Sequence, residues 1–296
     1  VNGPAGDGGL AQIERVRRNK LLVDQVRMVQ AYLGLEKARR ERPDPWAGEP
    51  LVSVRIATYQ RPQLLVERAI ASALRQTYQN LEVVVVGDHA GPETAAAVAA
   101  VKDCRVRYEN LPARPSYPVN PRYFWATAGT YAVNRAIELC RGEWIAPLDD
   151  DDEFTADHVE TLLTEARAKK LELVYGQMEV SAEGGWRPLG SAPLALGQVC
   201  HASVLYSARL AGLRYDALAF VEEDPGDWNY WKRMQLVGAK VGFLERVVGR
   251  HYPERTSLSP AERQAWDTRA PTSDEFIADV RRAGGARLLE MGASGR

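Results

Sequence analysis

Residues 143–154 read EWIAPLDDDDEF. Trp144, Ile145, Ala146 and Leu148 form a short apolar run, the mark of a strand buried on both faces. Five acids follow at once: Asp149, Asp150, Asp151, Asp152 and Glu153. Carboxylates side by side repel, and burial adds further cost unless a cation or hydrogen-bond donors compensate. A hard divalent cation together with phosphate oxygens would supply that compensation. The competing reading is a solvated loop that caps a helix starting near Thr155.

Working outward, the same pattern repeats. LVSVRIAT (51–58), LEVVVVGD (81–88), VRYEN (106–110) and LELVYGQMEV (171–180) read as further strands. Helical periodicity fills the intervals 61–77, 91–102, 127–140 and 155–170. Strand–helix alternation at this spacing predicts an α/β domain, with a mostly parallel central sheet covered by helices on both faces. Ligands of open α/β sheets bind outside the carboxyl ends of the strands. Thr58 and Tyr59, Asp88, and Asp149 to Asp152 all fall at such ends.

Residues 11–42 carry apolar positions among Arg, Lys, Glu and Gln, which predicts an N-terminal helical extension. The expectation is that this helix packs on the main domain or on a second copy in a homo-oligomer. An anionic membrane surface is the competing partner for its arginines. RPDPWAGEP (42–50) stops the helix. The expected organisation is a flexible lead, helix and linker over 1–48, a catalytic domain over 49–260 and a helical tail over 261–296.

The 296 residues carry a net charge of −1, so nucleic acid has no global electrostatic claim as a partner. The apolar runs are too short to span a bilayer, and VNGPAGDGG at the start lacks a basic-then-apolar pattern. Cys104, Cys140 and Cys200 are odd in number and have no CxxC spacing. They read as small buried apolar residues in a reducing cytoplasm. His89, His158 and His201 show no ligand spacing and read as structural.

VSVRIATYQRP (52–62), RQTYQN (75–80), LEVVVVGD (81–88) and NRAIELCRGEWIAPLDDDDEF (134–154), followed by CHASVLYSARL (200–210) and GDWNYWKRM (226–234), resemble one family. The order and spacing over residues 50–255 are similar to family 2 glycosyltransferases of GT-A fold, of the bacterial spore-coat polysaccharide type. The resemblance implies transfer of a sugar, with inversion, from a UDP- or dTDP-sugar to an acceptor hydroxyl, dependent on Mn²⁺ or Mg²⁺. The acceptor is open among a saccharide, a lipid-linked sugar and a small natural product. It places Thr58 and Tyr59 at the nucleotide, with Tyr59 stacking on the base. Asp88 would accept a pyrimidine ring N–H, and Arg122 would lie near the donor phosphates. Asp149 and Asp150 would be donor-binding, Asp150 at the ribose. Asp151 would be the direct metal ligand and Asp227 the catalytic base. His251 would bind metal from a mobile segment over 250–260 that closes on the donor with Arg250, Arg255, Ser257 and Ser259.

Three departures stand out: Ala57 for the usual Pro, Gly87-Asp88-His89 for Asp-Asp followed by Gly or Asn, and Gly226-Asp227 for Glu-Asp. A helix start at Asp227 predicts a carboxylate stabilised in its charged form. Two rival classes remain: a sugar nucleotidyltransferase, which would show a Gly-rich basic phosphate loop where TYQRPQ stands, and an inactive GT-A binding module.

Overall fold

The computed structural model describes residues 6–182, 185–252 and 271–291. Nine strands form one sheet among the described residues, in the order β3-β2-β1-β4-β8-β6-β9-β5, with β7 on the side of β6. Their ranges are β1 Val52–Thr58, β2 Leu81–Gly87, β3 Val106–Asn110, β4 Trp144–Asp149, β5 Glu153–Phe154, β6 Leu173–Ala182, β7 Gly185–Leu189, β8 Val204–Ser207 and β9 Val241–His251. β3, β2, β1, β4, β6 and β9 run one way, while β8, β5 and β7 oppose them.

β1, β2 and β4 are buried on both faces, while the edge strand β3 is half-buried. On one face Val54, Ile56, Val83, Val85 and Leu148 pack against Leu65, Ile70, Leu162 and Leu163. These last four belong to α2 (Pro62–Leu64, continuing through a π-helical stretch Leu65–Ile70 and Ala71–Leu74) and to the helix His158–Lys169. On the other face Val84 and Val86 meet Ala132 and Ala136 of the helix Thr130–Leu139. Helices therefore cover both faces of a mostly parallel sheet, the GT-A type of α/β architecture.

Beyond β4 the character changes. β8 is antiparallel to both β4 and β6, and β6 pairs with β9 through a register shift near Gln177. Their shared core of Leu173, Tyr175, Val204 and Tyr206 lies under Tyr230, Trp231 and Met234 of the helix Gly226–Leu236. Strands β7, β8 and β9 had no counterpart in the strand pattern of the sequence.

The N-terminal helix, α1 (Gly6–Glu41), packs on this same chain. Its Val16 joins a core with Tyr123, Phe220, Phe276 and Val280, which brings in the helix Ser273–Arg282. Its Lys20 is buried and pairs with Asp216 (2.9 Å), Glu222 (3.0 Å) and Asp24. No helix among the described residues is long and apolar enough to cross a membrane. All three cysteines are free, and Cys104 is exposed rather than buried, since it sits in the turn that leads into β3.

Candidate active site

In the strand order β3-β2-β1-β4, the chain moves outward from β1 in one direction and then places β4 on β1's other side. The gap between the carboxyl ends of β1 and β4 is thus a topological switch point, where α/β sheets hold ligands. Ala57 and Asp149 are register partners there. Thr58 Oγ1 donates to Asp150 Oδ2 at 2.8 Å, and the Tyr59 amide reaches the same oxygen at 3.4 Å. Arg61 pairs with Asp150 (3.3 Å) and with Asp151, and Arg68 donates to the Asp151 carbonyl. Burial, helped by the neighbouring Asp151, pushes the Asp150 carboxyl up to about 7 despite Thr58 and Arg61. Burial and Asp149 raise Asp151 as well.

A second group of side chains meets at the end of β2. Asp88 is buried and accepts from the Tyr117 hydroxyl at 2.9 Å, and Arg114 Nε lies 4.0 Å away. The Arg114 guanidinium sits 3.7 Å above the centre of the Tyr59 ring, a cation–π contact on a face that a base could use. Burial raises the Asp88 pKa, partly offset by Tyr117 and Arg114. Arg114 and Tyr117 come from the Pro-rich connection after β3, LPARPSYPVNPR (111–122).

The departures at 87–89 have a packing explanation. The Asn110 side chain fills the space beside Gly87, where a Cβ would collide with it, and holds Ala90 through bonds of 2.9 and 2.8 Å. His89 has φ 58° and Gln60, in the corresponding loop after β1, has φ 53°. Non-glycine residues in the left-handed region store strain of about 1–3 kcal/mol and gather at binding sites.

The remaining acids converge on a cavity of about 420 Å³ lined by Asp149, Asp152, Asp227, His201, His251 and Tyr215, among others. His201 Nδ1 lies 2.8 Å from Asp149, and its Nε2 is 3.0 Å from Arg55 Nη2. A guanidinium only donates, so Nε2 accepts and Nδ1 carries the proton that is given to Asp149. Arg55 is fully buried in β1 and also donates to Tyr215 at 2.7 Å. Burial works to raise the Asp149 pKa, but His201, His251 and Arg55 together hold it below the ordinary carboxylate value. His201, expected to be structural, is therefore a member of the site. The signal for it lay only in its position just before β8.

Opposite, Asp152 accepts from His251 (3.0 Å) and from the Tyr252 amide (3.0 Å). The hydrogen bond to Asp152 raises His251 to about 9. His251 and Arg250 belong to the end of β9 rather than to a loop, and Arg250 binds Glu179 of β6 at 2.9 Å. Arg255, Ser257 and Ser259 lie outside the described residues.

Asp227 opens the helix Gly226–Leu236 and accepts from the Trp228 amide at 2.7 Å. Burial raises its pKa, while His201 and the Trp228 amide at the helix start favour the anion. Gly226 stands where a Cβ would lie 2.6 Å from the Ala126 carbonyl oxygen, which explains glycine in place of the usual Glu. Arg122 is not brought to these acids. It lines a neighbouring cavity between α1 and the helix Pro121–Thr127, with Arg17 and Glu223.

Among the described residues no three His, Cys, Asp or Glu side chains cluster as a ready-made metal site. The donor chemistry still suits a hard cation: Asp150, Asp151 and Asp152 stand side by side, and burial and the neighbouring acids raise each of them, a cost a dication would offset. Mg²⁺ in particular is often held by one or two carboxylates plus substrate phosphates and water. A metal that arrives with its diphosphate ligand fits this site.

Residues 53–192 match the glycosyl transferase family 2 profile. The chain carries a glycosyl transferase family 2 domain. A similar relative is the succinoglycan biosynthesis protein ExoO of Rhizobium meliloti, 35% identical over 136 residues, which are 46% of this chain and 35% of ExoO. The chain spans less than half the length of the first curated relatives it matches. Two solved structures share the fold. Staphylococcus aureus TarS 1-349 in complex with UDP has TM-score 0.54 and 13% identity, covering 83% of this chain and 67% of that one. Mannosyltransferase PcManGT of Pyrobaculum calidifontis, in complex with GDP-Man and Mn²⁺, has TM-score 0.53 and 14% identity, covering 96% and 88%.

Proposed function

We propose that this family 2 domain is an inverting glycosyltransferase that moves a sugar from a UDP- or dTDP-sugar to an acceptor hydroxyl with the help of a divalent cation. The observation that carries the reading is the convergence of Asp149, Asp152 and Asp227 on one cavity at the carboxyl end of a sheet whose neighbouring strands lead into Tyr59 and Asp88. The base would stack at Tyr59 and give its ring N–H to Asp88. Solved relatives of the fold are seen with UDP and with GDP-Man, so the choice rests on Asp88. Uracil and thymine carry that ring N–H and cytosine does not.

Breaking the glycosyl–phosphate bond leaves a diphosphate with growing negative charge. A bound Mn²⁺ or Mg²⁺ would stabilise that charge, with Asp151 and His251 as its proposed ligands, while Arg61 is close enough to the acids to meet the phosphates. Asp149 and Asp150 would orient the donor: Asp149 is fixed by His201 and Asp150 by Thr58. Asp227 would take the acceptor proton. Burial that raises its pKa makes it a stronger base, and a pKa nearer the working pH favours general-base catalysis. Attack on the face opposite the leaving diphosphate inverts the anomeric centre.

The test is a thermal-shift panel of nucleotides with and without Mn²⁺, since a ligand of the native state raises its apparent stability. UDP or dTDP should stabilise more than CDP, and Mn²⁺ should enlarge the shift. Equal or greater stabilisation by GDP would overturn the donor assignment.

A further inference from the structure

A second cavity, of about 550 Å³, lies between α1 and residues 209–216, on the far side of Tyr215 from the acidic cavity. The proposed transfer reaction does not use it. Five arginines line it: Arg27, Arg42, Arg209, Arg214 and Arg233. Arg27 pairs with Asp216 at 3.5 Å and Asp24 at 3.6 Å, while the other four donate to backbone carbonyls. Arg42 donates to the Ala208 carbonyl (2.9 Å), and Arg209 to the carbonyls of Pro43 (2.9 Å) and Arg42 (3.3 Å). Arg214 donates to the carbonyls of Leu213 (3.0 Å) and Ala211, and Arg233 to that of Asn229 (3.2 Å).

Carbonyls satisfy donors but cancel no charge. The one carboxylate in the lining, Asp216, is already engaged by Lys20 at 2.9 Å and by Arg27 at 3.5 Å. Arg209 Nε is a buried donor with no partner among the described residues. Burial lowers the Arg209 pKa, and Arg39 and Arg42 add to this against Glu172 and Asp44. Five guanidinium groups thus surround open space whose lining holds one carboxylate, Asp216, shared between Lys20 and Arg27. The backbone around that space leaves room as well, since a Cβ on Gly34 or Gly212 would meet nothing within 4 Å.

Guanidinium groups bind phosphate oxygens through paired, charge-assisted hydrogen bonds. We propose that this cavity is a second binding site, for a phosphate-bearing anion, and that the anion staples α1 to the domain. Arg27 and Arg42 come from α1 and the residue that follows its end, and Arg209, Arg214 and Arg233 from the domain, so one multivalent anion touches both sides. The phosphate belongs either to a soluble compound or to a lipid headgroup. The site stands independently of the sugar-transfer reading.

The test uses inorganic pyrophosphate with EDTA present, so that no divalent metal recruits it to the acidic cavity. Calorimetry should show saturable binding, and the melting temperature should rise more than with sodium chloride of matched ionic strength. The double variant Arg209→Gln/Arg214→Gln should bind at least about tenfold more weakly. Gly34→Leu keeps all five arginines and fills the cavity from the helix side; it should lose affinity similarly, and it decides the matter if the double variant does not fold. Neither variant should change stabilisation by UDP with Mn²⁺. Cosedimentation with phosphatidic-acid vesicles, competed by pyrophosphate and lost in Gly34→Leu, would assign the phosphate to a lipid; pyrophosphate binding without cosedimentation would assign it to a soluble compound. Absence of saturable pyrophosphate binding, or undiminished binding in Gly34→Leu, would overturn the proposal.

Discussion

The half of the sheet from β3 to β4 and the half from β8 to β5 obey different rules. In the first, the parallel strands β2, β1 and β4 are buried on both faces beside a half-buried edge strand β3, and their ends carry Thr58, Asp88 and Asp149. In the second, short or half-exposed strands mix directions, and the groups that reach the cavity, His201, Asp227 and His251, come from a turn, a helix start and a strand end. The proposed division of labour follows this boundary. The first half would read and hold most of the donor, and the second would place the base against the acceptor and lend His251 to the metal. Holding and reacting are then separable by mutation.

The largest effect is expected in the second half. Asp227→Asn keeps the shape and the oxygen that accepts from Trp228 but removes the basicity. Sugar transfer should fall at least about 100-fold, the low end of what a general base contributes. Donor affinity should change little. Parallel loss of both would make Asp227 a binding residue and erase the boundary.

The helix His158–Lys169, whose Leu162 and Leu163 share a core with strands of both halves, is the next place to break. His158 stacks on Phe154 at 3.6 Å and lies 2.8 Å, through Nδ1, from the Val248 carbonyl of β9. Burial depresses its pKa to about 4. The folded pKa lies below the unfolded one, near 6.5, so the unfolded chain binds more protons between these values. Stability should be constant in this respect above pH about 6.5. It should fall as the pH drops toward about 4, by up to about 3 kcal/mol at 1.4 kcal/mol per pKa unit. Denaturant unfolding of wild type and His158→Gln across that range checks it. Equal slopes for both proteins would show that His158 does not titrate with folding.

Two smaller effects test the first half. Asp151→Ala should remove the Mn²⁺-dependent part of stabilisation by UDP or dTDP while the fold persists, because its side chain pairs only with Arg61 among the described residues. Undiminished metal dependence would transfer the ligand role to Asp149 or Asp152. Asp88→Asn, read by nucleotide thermal shifts, should narrow the preference for UDP over CDP by about tenfold, the worth of one hydrogen bond to a charged group. An unchanged preference would place the base elsewhere.

The boundary also explains what was legible in sequence. Val83 to Val86 and Trp144 to Leu148 read as strands because two-sided burial demands continuous apolar runs. The acids announced the strand ends. β9, VGFLERVVGRH, is only partly buried and has no such run, and β8 is four residues long. Arg114 and Tyr117 sit in a Pro-rich connection whose path is set by tertiary packing on Asp88, so no local pattern marks them. The glycines of Gly87-Asp88 and Gly226-Asp227 become intelligible only when Asn110 and Ala126 are seen beside them. Arg122 was placed near the donor phosphates by resemblance alone, and in the fold it lines a cavity with Arg17 and Glu223.

The most direct test of the account is a crystal structure of the protein with UDP and Mn²⁺. The account predicts uracil against Tyr59 with its ring N–H on Asp88, the diphosphate and metal toward Asp149 to Asp152, and Asp227 facing the open end of the cavity where the sugar would lie. Nucleotide bound away from the β1–β4 gap, or a metal held with no contact to the Asp149–Asp152 run, would contradict it.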